Sequence, residues 1–417
     1  MTGRYKAYPE YKSVDANITI PVGWNYCQAK RYLTVQSGDM LPAARVRDSG
    51  TPVVGGNGYR GFTDSANTKA NTIVIGRVGA KCGCVHTIKE DFWASEHAFK
   101  VISRKQYNIS FMAYLLESLN LNQYAITTAQ PLLNTEIVTS KYISLPNNLI
   151  EQQKIANFLD HETAKIDTLI AKQEKLIELL KEKRHAVISH AVTKGLSPNA
   201  PMKDSGVEWL GEVPEHWDVL PTKRFFRLVA EPSTKNHNKE LLSVYAAIGV
   251  APRKELEQKG NKASNTDGYW LVQKGDIIVN KLLAWMGAVG YSDYDGVTSP
   301  AYDILRKTKD INPKFYHYLF RQEFTQKEFK RWSRGIMEMR LRLYFEELGR
   351  IMMPMPPKEE QNAIVDEIEA MNSMFSKIED KARFQIELLT ERKTALISAA
   401  VTGKIDVRYW DAQGVQG

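Results

Sequence analysis

The sequence predicts an α+β protein with a pseudo-two-fold internal repeat: two β-rich variable domains, each followed by a long helix. Three observations predict it. A near-identical helical segment occurs twice, a short entry motif occurs twice ahead of it, and the stretches between show strand and turn patterning.

The helical repeat is the firmest element. Residues 177–193 read IELLKEKRHAVISHAVT, residues 386–402 read IELLTERKTALISAAVT, and 11 of the 17 positions are identical. The same spacing of 209 residues sets Glu151, Gln152 and Ile155 against Glu360, Gln361 and Ile364. Glu, Lys, Gln, Leu and Ala dominate both copies, and no Pro or Gly interrupts either before Gly195 and Gly403. Ile166, Gln173, Leu180 and Val187 recur every seven residues in the first copy, with Leu169 and Leu176 between them. Phe375, Ala382, Leu389 and Leu396 do so in the second, with Ile378 and Gln385 between. That heptad seam predicts that the two helices pack on each other within one chain.

The entry motif is shorter. Pro21, Trp24, Lys30 and Arg31 match Pro214, Trp217, Lys223 and Arg224 at a spacing of 193 residues, so the second variable domain carries 16 more residues. The predicted order is a first variable domain at 1–148, a helix at 149–196, a second variable domain at 197–357, a helix at 358–405 and a C-terminal tail at 406–417. Retained parts of a duplication hold a shared geometry or dock like partners, whereas divergent parts are free to contact different things. Net charge agrees: it is +1 over 151–195, −2 over 360–404 and +9 over the rest.

Within the variable domains, 51–64 is turn-dense, 71–79 reads as a buried strand ending in a tight turn, and 109–120 reads as an amphipathic helix. In the second, 271–283 reads as a turn at Gly275-Asp276 followed by a strand, and 313–332 as one helix rich in aromatics and bases.

Bulk properties narrow the class. The chain has 417 residues, 43% of them apolar, and a formal net charge of +8. Packed cores follow, and a polyanionic partner is suggested. The cysteines, Cys27, Cys82 and Cys84, are too few and odd in number for a disulfide framework. No signal peptide opens the sequence and no run reaches the ~18 apolar residues of a membrane helix. A soluble cytoplasmic protein is expected.

Several chemical motifs fail on inspection. Gly56, Gly58 and Gly61 form a GxGxxG, but polar residues follow where a dinucleotide site needs a helix. Cys82-Gly83-Cys84 lacks a second ligand pair for zinc. Gly403-Lys404 lacks the rest of a P-loop. No Asn-Pro-Pro-aromatic tetrapeptide or Pro-Asp…Glu-x-Lys arrangement is found. No catalytic, cofactor or metal residue is therefore assigned.

What remains is interleaving of bases with aromatics, suited to phosphates and guanine edges. The candidates are Arg45, Arg47, Tyr59, Arg60, Arg77 and Lys81 in the first domain, and Lys281, Trp285, Arg331, Arg334, Arg340 and Arg342 in the second.

The sequence resembles the specificity subunits of type I restriction–modification systems. The resemblance is carried by LPNNLIEQQKIANFLD at 145–160, PMPPKEEQNAIVDEIE at 354–369, the helix ends RHAVISHAVTKGL and KTALISAAVTGKI, and GVEWLGEVPEHWDV at 206–219. GTPVVGGNGYRGF and TAQPLLN at 128–134 resemble first-domain signatures. The resemblance implies two target-recognition domains, similar to the DNA-reading domain of a Taq-type adenine methyltransferase, separated by an antiparallel coiled coil. It implies that each domain reads half of a split site in double-stranded DNA. It further implies two methyltransferase subunits using S-adenosylmethionine, with two restriction subunits using ATP and Mg as possible additions, and no catalysis in this chain. A helix of about 40 residues spans roughly 60 Å, against about 34 Å for a DNA turn, so half-sites one to two turns apart are expected. The competing expectations are a coiled-coil protein-interaction adaptor without DNA readout, and a self-contained modification or restriction enzyme.

Overall fold

The computed structural model describes residues 5–126, 130–235, 238–246, 248–255, 266–335 and 341–411. The chain divides into two compact units, one of Met1–Glu174 with Arg383–Gly417, the other of Lys175–Ala382. Two long helices, Leu149–Lys194 and Lys358–Val401, each contribute one part to each unit. No helix among the described residues is long and apolar enough to cross a membrane.

The long helices run where the sequence lacks Gly and Pro, and both end on a glycine with positive φ, Gly195 at +76° and Gly403 at +74°. Space also demands glycine there. A Cβ on Gly195 would lie 3.3 Å from the Trp217 ring, and one on Gly403 would lie 2.5 Å from the Pro21 ring. Each helix end is therefore seated on an entry-motif residue of its unit.

In the first unit the opening part of the first long helix lies against the closing part of the second. Ile166 shares a core with Leu396, Ile397 and Ala400, and Lys393 Nζ holds Asp167 at 2.8 Å. In the second unit the closing part of the first helix meets the opening part of the second. Leu180 and Ile188 share a core with Met371 and Phe375, and Arg184 lies 3.9 Å from Glu379. The helices thus pair antiparallel. The seven-residue series is seen, with Ile166, Leu180, Phe375, Ala382 and Leu396 buried. Of the predicted intermediate positions, Ile378 packs against the core, but three need correction: Leu169 and Leu176 are 46% and 38% exposed, and Gln385 is exposed. Ile170, Ile177 and Ile386 face inward in their place, one residue later, as do the paired Arg184, Glu379 and Lys393.

Each unit carries an antiparallel four-stranded sheet of the same connectivity. In the first the order is Leu33–Ser37, Ala98–Ser103, Thr72–Gly76, Val85–Ile88. In the second it is Phe226–Val229, Tyr302–Lys307, Ile277–Asn280, Val289–Tyr291. A two-stranded pair follows in both: Trp24–Gln28 with Tyr142–Pro146, and Asp218–Pro221 with Met352–Met355. So does an opening hairpin, Tyr11–Asp15 with Ile18–Pro21 and Met202–Asp204 with Glu212–Pro214.

Two local expectations are revised. The turn-dense stretch 51–64 is a regular hairpin, Thr51–Gly55 with Gly58–Thr63, because its glycines sit at the turn and at a bulge. The single helix at 313–332 is two helices, Pro313–Phe320 and Glu323–Trp332. Gln322 takes an extended conformation between them, and Arg321 donates to the carbonyls of Ala246, Gly287 and Val289.

The repeated residues make the same bonds in both units. Gln152 and Gln361 are almost fully buried. Gln152 Nε2 donates to Pro146 O at 2.9 Å and its Oε1 accepts from Asn108 N at 2.8 Å. Gln361 Nε2 donates to Pro356 O and its Oε1 accepts from Asn312 N, both at 2.8 Å. Asn108 and Asn312 in turn cap the helices Ile109–Ser118 and Pro313–Phe320. Trp24 Nε1 donates to Glu151 and Trp217 Nε1 to Glu360, each at 3.0 Å. One Glu-Gln pair thereby fixes the long helix, the entry strand and the cap of the next helix together.

Candidate nucleic-acid interface

In each unit a central strand of the four-stranded sheet ends in a loop, and a second loop is clamped beside it. Leu133 N donates to Arg77 O, and Leu343 N to Lys281 O, both at 2.9 Å. Both leucines are completely buried. The second loop is pinched by an antiparallel bridge in each case, Ile126 with Leu132 and Arg334 with Arg342. The frame is shared, and the residues it displays differ.

A third segment completes the surface. In the first unit the tip of the Thr51–Gly55/Gly58–Thr63 hairpin presses on the strand-end loop. A Cβ on Gly76 would lie 2.5 Å from both Gly56 O and Lys81 O, and one on Gly56 would lie 2.9 Å from His97 O. The formal GxGxxG thus serves a hairpin and a close backbone approach. In the second unit the hairpin Leu242–Tyr245/Gly249–Pro252 is held by Arg321, which donates to Ala246 O at 2.7 Å. His317 Nδ1 accepts from Tyr291 N at 3.1 Å. Burial, aided by Arg321 and Lys314, pulls the pKa of this imidazole down to about 3, which keeps it a neutral acceptor.

The predicted contact residues separate into displayed and anchored groups. Arg60 and Lys81 are exposed with no ion-pair partner among the described residues, and Arg342 is exposed beside the clamp. Tyr59 is 60% exposed and its hydroxyl donates to Glu90 at 3.0 Å. Arg45 lies over the Trp93 ring at 4.6 Å and holds Asp64, which Arg47 approaches at 3.4 Å. The Arg45 hydrogen bond keeps the Asp64 carboxyl below the usual range. Arg331 lies 3.7 Å from Glu328, and Arg334 pairs with the buried Glu347.

Three candidates are anchored in their own unit. Arg77 donates to Ser37 Oγ at 3.1 Å and covers Phe99. Lys281 donates to Asp303 and to Pro300 O, each at 3.1 Å. Trp285 Nε1 donates to Leu282 O at 3.0 Å beneath Lys330. Lys281 and Trp285 bond their polar groups internally, whereas Arg77 leaves its Nε buried without a partner among the described residues. Arg340 lies outside the described residues. Sequence reasoning missed the exposed Leu282, Leu283 and Met286; the only signal was an apolar run continuing past the strand, which stops at Asn280. Among the described residues, no group of three or more His, Cys, Asp or Glu is placed to hold a metal ion.

A duplicated frame that shows unlike loops from matched sheets defines a two-headed recognition scaffold. The family model for the type I restriction modification DNA specificity domain matches residues 21–179 and 214–388, and the chain belongs to that family, with the domain present twice. The EcoprrI specificity subunit of Escherichia coli is 40% identical over 119 residues, 28% of each chain. The shared segment thus spans just over a quarter of that relative. The EcoBI specificity subunit of Escherichia coli is 23% identical over 344 residues, covering 76% of this chain and 71% of the relative. Among solved structures, the HsdS subunit of Thermoanaerobacter tengcongensis aligns with a TM-score of 0.51 at 12% identity, over 94% of this chain and all of that one. A chain solved in work on complex assembly and conformational transition of the type I R-M system aligns with a TM-score of 0.60 at 14% identity, over 93% and 99%. These structures share the fold.

Proposed function

We propose that this chain is the DNA-reading subunit of a type I restriction–modification complex. Each unit reads one half of a bipartite duplex site. The long helices set the number of unread base pairs and dock two methyltransferase subunits, and restriction subunits join the same assembly. Catalysis, S-adenosylmethionine, ATP and Mg belong to those partners, in the cytoplasm.

One observation carries this reading. The Glu-Gln lock is built twice with the same kinds of partner, a proline carbonyl just ahead of the long helix and a helix-cap amide, whereas the loops it supports are not alike. A protein that must grip two like partners and read two unlike sequences needs that division. The displayed Arg60, Lys81 and Arg342 supply phosphate or base-edge donors, and Tyr59 supplies a ring beside them.

Duplex binding by the purified chain, alone and with its methyltransferase partner, tests the reading across a salt series. Affinity should fall linearly with the logarithm of salt concentration and strengthen with the partner, and the chain alone should methylate nothing. Salt-independent or absent duplex binding would favour an adaptor, and methylation by the chain alone would make it an enzyme.

A further inference from the structure

We propose that Leu282, Leu283 and Met286 form an apolar wedge that enters the duplex and unstacks one base step in the half-site of the second unit. This rests on the DNA-reading assignment above and adds a mode of recognition to it.

The three side chains are 39%, 43% and 52% exposed within five residues of chain. Scattered single apolar residues on a surface are ordinary, but a cluster held rigid toward solvent needs a use. The loop is rigid because its backbone is internally bonded. Leu282 N donates to Asn280 Oδ1 and Leu283 N to Asn280 O, both at 3.1 Å, and Met286 N donates to Leu283 O at 2.9 Å. Ala284 is fully buried beneath, and Trp285 is tied to Leu282 O. The aliphatic chains are therefore presented with little conformational freedom left to lose.

Their surroundings select the occupant. Lys330 lies 5.1 Å over the Trp285 ring, and Arg331 follows it on the same helix. Arg342 is exposed next to Leu343, which is bonded to Lys281 O, and Arg334 bridges to Arg342. Arg331 lies beside Glu328 and Glu208 and Arg334 pairs with Glu347, so the exposed Arg342 and the nearby Lys330 carry most of the positive charge beside the aliphatic point, which complements a polyanion with an apolar stacked interior. Side chains such as Leu and Met inserted between base pairs partly unstack them and bend the helix. The strand-end loop of the first unit shows no such cluster. It is as long as its counterpart and reads Arg77-Val78-Gly79-Ala80-Lys81-Cys82-Gly83-Cys84, with no Leu, Ile, Met or Phe to wedge. The proposal is therefore asymmetric: one half-site is distorted and the other is not.

The test uses the full chain with its methyltransferase partner. The duplex carries the site found by methylome sequencing, with 2-aminopurine placed in turn at each position of both half-sites except the methylated adenines, which the methyltransferases themselves draw out of the stack. Fluorescence should rise at one step, in one half-site only. The rise should be lost with Leu282→Ser, Leu283→Ser and Met286→Gln combined, and kept with Leu282→Met and Leu283→Met. The bound duplex should bend by about 20–90°, and the bend should relax in the polar variant. No brightening at any position with bound wild type, or equal brightening in the polar variant, would overturn the wedge. Loss of methyltransferase co-purification with unchanged brightening would also overturn it and assign the patch to a protein partner. Failure of the wild type to bind any duplex would instead remove the DNA-reading assignment.

Discussion

The two strand-end loops, 77–84 and 281–288, are equally long, but in the first Arg77 turns back onto Phe99 and Lys81 is exposed, whereas the second shows aliphatic chains around an anchored Trp285. Beneath them, Gln152 and Gln361 make matching bonds of 2.8–2.9 Å. The difference teaches where divergence is tolerated. A buried amide with both ends satisfied admits few replacements, whereas a loop end clamped by one backbone bond admits many. Under the proposed function, partner geometry and target choice would therefore change independently.

The largest expected effect tests the shared half of the comparison. Gln152→Leu and Gln361→Leu each strand a buried N–H and a buried carbonyl, at a combined cost of about 2–6 kcal/mol. Denaturant unfolding should show losses equal within about 1 kcal/mol for the two variants. Unequal losses would break the equivalence of the two locks.

A second effect belongs to one unit only. His317 has a folded pKa below its unfolded value, so between about pH 6.5 and 3 the unfolded chain binds a proton that the folded chain refuses. Stability of the second unit should therefore fall as pH falls through that window. The loss is on the order of 2 kcal/mol, less than the full shift implies, because the residue is half-buried and some of the charge can be solvated. The corresponding turn of the first unit's helix carries Ala113. Acid titration of unfolding should show His317→Asn flattening this limb. An unchanged limb would contradict the assignment.

Smaller effects separate displayed from anchored cations. Arg60→Ala and Arg342→Ala should each weaken duplex binding by about 1–3 kcal/mol if they reach base edges, and each should reduce the salt slope by about 1 if they reach phosphates. Arg77→Met should leave the slope unchanged and lower the melting temperature. The smallest effect is expected at the helix pair. Asp167→Asn, which removes the Lys393 ion pair, should cost about 0.2–1 kcal/mol in unfolding measurements, because that pair is solvent-accessible.

Much of the fold was legible because the duplication is spelled out in residues whose roles are local and obligatory. The repeated Glu-Gln, the Pro-x-x-Trp entry and the uninterrupted helices each correspond to an observed lock or element. The heptad series was legible, and so was Ile378 between its members, but Leu169, Leu176 and Gln385 were misread, since Leu169 and Ile170 are equally apolar and only the partner helix chooses between them. Arg184 and Lys393 occupy inward positions that an apolar criterion passes over. The interface was less legible. An arginine that reaches solvent and one that folds back onto Phe99 look alike in sequence. The break between the helices Pro313–Phe320 and Glu323–Trp332 is set by carbonyls from distant strands that collect on Arg321. The apolar run at Leu282–Leu283 read as strand, because the sequence does not show that Asn280 turns the chain.

The central claim is that one locked frame carries two independently readable heads. Its most direct measurement is methylome sequencing of cells in which residues 222–351 are replaced by the matching segment of another member of the family. One half of the methylated site should change while the other half and the spacing between them persist. If both halves change together, or if neither does, the two heads are not separate readers.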